Sequence, residues 1–130
     1  MIAVRLITYT ILVFVVLFCI SSCCSAEQFK KYPDAALDSK KTGKPLVIVL
    51  SGDFCPWCTK QKIELEKSKV KDFNWVVVNI KKYPMYSVKG GIPQLCIIVK
   101  VDGRWVKKTY VGYKDTKKIR ELITWQKNKT

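Results

Sequence analysis

The 130-residue chain contains no histidine, and that absence removes much chemistry at once. Without an imidazole there is no Ser-His-Asp or Cys-His nucleophile, no Cys₂His₂ zinc site, no HExxH metalloprotease helix and no CxxCH haem attachment. Acidic side chains are scarce, 10 against 24 lysines and arginines, for a formal charge of +14. Arginine is scarce too. Only Arg5, Arg104 and Arg120 occur, so the planar forks that grip phosphate and guanine are in short supply, and specific nucleic-acid readout is not expected. The lysines are spread over every segment, the pattern of a solvated surface that draws in acidic partners and loses that pull as salt rises. With 48% apolar residues, neither disorder nor a low-complexity fibre fits. Catalysis, if any, is left to cysteine, carboxylate or backbone.

The N-terminus reads separately from the rest. Residues 6–20 hold 13 apolar residues and no charge, follow a single basic residue at Arg5, and lead into the small residues of SSCCSA. A run of this length suits the apolar stretch of a secretory signal, whereas a spanning helix needs about 20 such residues. Three outcomes stay open: cleavage after Ala26, acylation at Cys23 in a segment that resembles a bacterial lipoprotein box, or a retained anchor. The expected division is therefore residues 1–26 as signal or anchor and 27–130 as one domain, exported and either freed or tethered to a membrane. Lys30, Lys31, Lys40 and Lys41 weigh the other way, since in an uncleaved segment they favour a cytoplasmic domain.

From residue 27 onward the patterning alternates helix and strand. A short helix over 33–40 ends at Gly43, and Leu46-Val47-Ile48-Val49-Leu50 is an apolar run suited to a strand covered on both faces. Helix-forming residues from Cys55 or Pro56 to about Val70 follow, then a second buried strand over 75–80. Two runs, 94–101 and 104–111, flank Asp102-Gly103, a strong hairpin signal. Ile119, Leu122, Ile123 and Gln126 recur at helical spacing behind an Asp or Thr cap. Two strands joined through a helix imply a parallel pair, to which the hairpin adds antiparallel strands. The fold class is α/β, with a mixed sheet of about four strands flanked by helices.

The chemistry falls at the first strand-to-helix turn, Ser51-Gly52-Asp53-Phe54-Cys55-Pro56-Trp57-Cys58. Free N–H groups and the positive end of the helix dipole stabilise an anion there, so a Cys55 thiolate forms at lower pH than in a free thiol. Cys58, one turn on, faces the same side and resolves a mixed disulfide formed on Cys55. Pro56 at the first helical position wastes no donor, and Trp57 offers a partly exposed apolar platform. A lone CxxC is also half a zinc site, but no second CxxC and no histidine complete it, so no metal is expected. A disulfide closing so short a loop is a weak structural staple. Cys96, inside the apolar stretch QLCIIV, reads as a buried inert thiol.

These features together resemble the thioredoxin superfamily. The likeness rests on LVIVL before Cys55-Pro56-Trp57-Cys58, on VVVNI, on Gly91-Ile92-Pro93 and on Tyr110-Val111-Gly112, and it covers most of residues 33–126. It implies a thioredoxin-like fold, a cis peptide at Ile92-Pro93, and an extended substrate pairing with the backbone at Ile92 beside Trp57, Pro93 and Gly112. It further implies a thiol:disulfide oxidoreductase acting on cysteine pairs of other proteins, with no cofactor beyond the Cys55-Cys58 disulfide. Departures accompany it: the family's buried acid is replaced by Val49 and its usual lysine by Val77, and the segment 80–90 is short enough to reduce a helix to a turn near Tyr83-Pro84. Asp53 is expected to point into the turn. Potentials of such dithiols span roughly 150 mV, about 7 kcal/mol for two electrons, so CPWC alone does not set direction. Ile92 before the proline resembles the reducing members, whereas an exported address would suit an oxidase or isomerase, so the reading tilts only slightly toward a reductase, with an unknown electron donor or acceptor. The competing reading is a basic interaction module that keeps the frame without the catalysis.

Overall fold

An apolar run with no polar face is stable as a strand only where both sides are covered, and residues 46–50 are used in this way. The computed structural model describes residues 2–20 and 31–129. Its elements are α1 (Ile2–Ile20), α2 (Tyr32–Thr42), β1 (Leu46–Ser51), α3 (Pro56–Ser68), β2 (Asn74–Asn79), a 3-10 turn (Pro84–Tyr86), β3 (Gln94–Val101), β4 (Arg104–Val111) and α4 (Thr116–Lys129). The strands form one sheet in the order β2-β1-β3-β4. β1 and β2 run parallel, with Val49 opposite Val77, and α3 supplies the crossover that a parallel pair requires. β3 lies antiparallel to both β1 and β4.

Alternation along the strands divides the core in two. Val47 and Val49 join Leu95, Ile97 and Val99 on one face, where Leu65 of α3 and Ile119 and Ile123 of α4 cover them. Leu46, Ile48 and Leu50 join Val76, Val78 and Cys96 on the other, under Ala35 of α2 and the half-buried Tyr32, Tyr83 and Tyr86. Polar staples hold the helices to the sheet. Asn74 at the start of β2 donates to the Asp38 carboxylate and the Ser39 hydroxyl of α2, at 2.8 and 2.9 Å. Gln126 of α4 donates to the carbonyls of Ile97 and Val106, at 2.9 and 3.0 Å.

The element ends follow local chemistry. Asp102 and Gly103 both take positive φ, 48° and 79°, the backbone that a two-residue hairpin turn between twisted strands demands. The Asp115 carboxylate accepts the Lys118 amide at 2.7 Å, so Asp rather than Thr caps α4. Helix α3 ends at Ser68, short of the expected Val70, because Lys69 turns into the left-handed region; Val70 is then buried as a loop anchor. The segment after β2 contains a single 3-10 turn where a longer helix is absent.

Every described side chain of α1 is exposed, and among the described residues no helix is long and apolar enough to cross a membrane. Cys23 and the proposed boundary at 26/27 lie outside the described residues. Ile97, fully buried in the centre of β3, tests the core on the α3 and α4 side. Ile97→Ala is expected to cost about 2–5 kcal/mol, measured as a lower urea midpoint with an unchanged slope.

Candidate active site

The sheet register builds the site. Leu50, the penultimate residue of β1, pairs with Gln94, the first residue of β3, so the turn leaving β1 starts beside Pro93. The closeness is tight: a Cβ placed on Gly52 would stand 2.7 Å from Ile92 Cδ1, so a glycine here lets the Ile92 side chain lie against the turn. The Ile92-Pro93 peptide is cis. Pro93 is buried, and its carbonyl accepts the Gly112 amide at 2.8 Å, which joins three separate chain segments at one end of the sheet.

Cys55 is the N-cap of α3, and its sulfur accepts the Cys58 amide at 3.1 Å. Pro56 occupies the first helical turn, where its missing N–H costs nothing. Cys55 and Cys58 are joined by a disulfide, with Cα atoms 5.2 Å apart. Their surroundings differ, since Cys55 is half-buried while Cys58 is only 4% exposed. Phe54, just before Cys55, has φ 54° and is fully exposed, and Trp57 between the cysteines is 55% exposed. Asp53 is exposed in the turn.

Several residues that the sequence does not single out hold this geometry. Gln61, fully buried on α3, forms two 2.8 Å hydrogen bonds with the Lys114 backbone, its Nε2 donating to the carbonyl and its Oε1 accepting the amide. Its signal is positional: Cys58, Gln61 and Leu65 share the buried face of the helix. Gln94, also fully buried, closes the loop before it, since Oε1 accepts the Val88 amide at 3.0 Å and Nε2 donates to the Val88 carbonyl at 2.9 Å. Glu64 accepts the amide and hydroxyl of Thr116, each at 3.2 Å, and so fastens the start of α4 to α3. Tyr113 packs on Trp57 with ring centroids 5.9 Å apart, and the Lys60 ammonium lies 4.6 Å from the Trp57 ring and 5.0 Å from that of Tyr113.

Some residues stand apart. Val49 is fully buried opposite the half-buried Val77, so an apolar pair occupies the two positions where the resemblance implies an acid and a lysine. Cys96 is a buried free thiol on the α2 side of the sheet; burial pushes its pKa up, against a hydrogen bond from Thr109 and the charge of Lys107. Among the described residues, no group of three or more Cys, Asp or Glu side chains is placed to hold a metal ion.

No protein-family model matches the chain, and no curated protein does. Solved structures do. A thioredoxin from Thermus thermophilus aligns at TM-score 0.56 and 16% identity over 77% of this chain and 86% of its own. Trichomonas vaginalis thioredoxin aligns at 0.56 and 20%, over 77% and 96%. A single-site mutant of a thioredoxin from Halobacterium salinarum aligns at 0.58 and 18%, over 78% and 92%. The chain therefore has the thioredoxin-like fold, with a CxxC disulfide at the strand-to-helix turn.

Removal of the Gln61 staple leaves both backbone groups of Lys114 without that partner. Gln61→Ala is expected to destabilise the fold by about 1–3 kcal/mol in urea and to speed amide exchange at Lys114. Cys96 is expected to resist alkylation in the native state and to react only after unfolding, as read by mass spectrometry.

Proposed function

We propose that the chain is a thiol:disulfide oxidoreductase that works on cysteine pairs of other proteins, with reduction slightly favoured over oxidation or isomerisation. The observation that carries this reading is the Cys55 sulfur at the α3 N-cap, accepting the Cys58 amide. In the reduced protein the same position offers an amide hydrogen and the positive end of a helix to a thiolate, which lowers its pKa below the ordinary value of about 8.5.

The exchange balances in two steps. The Cys55 thiolate attacks one sulfur of a client disulfide, an S–S bond forms between protein and client, and the other client sulfur leaves as thiolate. Cys58, having lost its proton to solvent, then attacks the Cys55 sulfur and expels the second client thiolate. Two electrons pass to the client, and the Cys55-Cys58 disulfide is left for a separate dithiol donor to reduce. The half-buried Cys55 suits attack, and the buried Cys58 suits a partner that reacts only within the mixed disulfide. Trp57, Ile92, Pro93 and Gly112 form the client surface in this reading, with backbone pairing at Ile92. No cofactor beyond the disulfide is invoked. Residues 1–26 serve as export signal or anchor, by cleavage after Ala26, acylation at Cys23 or retention, and deliver the domain outside the cytoplasm.

Reduction of insulin by the full chain tests the activity. Wild type is expected to turn over, Cys55→Ser to be inactive, and Cys58→Ala to hold clients as mixed disulfides on Cys55. A wild type no more active than Cys55→Ser would leave only a binding module. Equilibration with glutathione tests direction: a reductase lies near about −270 mV, whereas a value near about −120 mV would make the chain an oxidant.

A further inference from the structure

We propose that Lys60 determines specificity at this site, selecting clients that carry a carboxylate close to the attacked cysteine; the inference rests on the thiol:disulfide reading above. Lys60 is one helical turn beyond Trp57, and its ammonium is held by two aromatic faces, at 4.6 Å from the Trp57 ring and 5.0 Å from that of Tyr113. Those rings contact each other at 5.9 Å, and the neighbouring Lys114 backbone is fixed to α3 by both hydrogen bonds of Gln61. The cation is thus placed before a client arrives, and much of the entropy normally lost in ordering a lysine is already spent.

No acid among the described residues forms an ion pair with it, although Glu64 and Asp115 lie near enough to Tyr113 for their charges to act on that ring's hydroxyl. The ion pairs formed among the described residues are Lys118 with Glu121 and Arg120 with Asp72, both on or against α4 and neither involving Lys60. Glu64, one turn further along α3, accepts from the amide and hydroxyl of Thr116, and Asp115 caps α4 through the Lys118 amide. Asp53 is exposed in the turn and takes part in neither ion pair. A second cation reinforces the sign, since the Lys114 ammonium donates to the Val111 carbonyl at 2.9 Å and lies 3.5 Å from that of Gly112. The rim of the disulfide therefore presents exposed Phe54 and Trp57 together with two placed cations.

Distance defines the recognition. Lys60 is five positions beyond Cys55, an advance of roughly 7–8 Å along the axis, about that of two residues in an extended client. A client Asp or Glu one or two residues from the attacked cysteine would reach the Lys60 ammonium while its sulfur lies at Cys55.

Two peptides with an internal disulfide, identical except for Asp or Asn two residues from the attacked cysteine, test this with the reduced full chain. The acidic peptide is expected to be reduced about two- to five-fold faster at low salt. The ratio should fall toward one at about 0.5 M salt, where screening shortens to a few ångströms. Lys60→Gln should bring the ratio near one and Lys60→Arg should keep it. Lys100→Gln, which removes one charge near the hairpin turn at the far end of β3, should keep it as well. Equal rates in wild type, or a preference surviving in Lys60→Gln, would overturn the assignment of Lys60. Absence of exchange with either peptide would instead overturn the thiol:disulfide reading, and this inference with it.

Discussion

At the start of α3 a sulfur atom takes the place of a capping oxygen. The hydrogen bond from the Cys58 amide to the Cys55 sulfur satisfies a donor that a helix otherwise leaves open, and it points that donor, with the end of the helix dipole, at the sulfur. The remainder of the domain serves to keep that turn in place. β1 must end where α3 begins, β3 must begin beside the same point, and the carbonyl of Pro93 must receive the Gly112 amide. Each condition is met by strand register and not by contacts of the cysteines themselves.

Three buried glutamines carry much of that positioning. Gln61 joins α3 to the loop before α4, Gln94 closes the loop before β3, and Gln126 ties α4 to β3 and β4. A glutamine offers a donor and an acceptor on one planar head, so it can satisfy backbone groups where no ladder is available, without placing a charge in the core. This suits a sheet whose faces are otherwise apolar, with Val49 opposite Val77 near the end of the parallel strands.

Much of the excess lysine lies over aromatic rings. Lys108 stands 4.4 Å from the Trp125 ring and 5.5 Å from that of Tyr110, and Lys82, Lys100 and Lys107 each lie over one ring. Beside the cysteines, Lys60 is held in the same way between Trp57 and Tyr113, and Lys114 is held on backbone carbonyls. A charge whose position is defined by its neighbours can discriminate among clients, whereas a mobile one only draws them in.

Strand runs, the Asp102-Gly103 hairpin and the cysteine pair on a helix start were legible in the sequence, because each depends on neighbours within a few residues; the α4 cap was narrowed only to Asp or Thr. The Gln61 staple and the packing of Tyr113 on Trp57 were not, because their partners lie more than 50 residues apart in sequence; the Gln94 staple and the exposure of Asp53 were not either, because they depend on how an irregular loop and turn fold. The order of residues by itself determined which segments were strand or helix and that a cysteine would sit at a helix start, since local backbone preference and apolar period act over one or two turns. Only the tertiary structure decided what surrounds that thiol, because strand register brings residues 52, 92 and 112 to one end of the sheet, and no local pattern encodes such closeness.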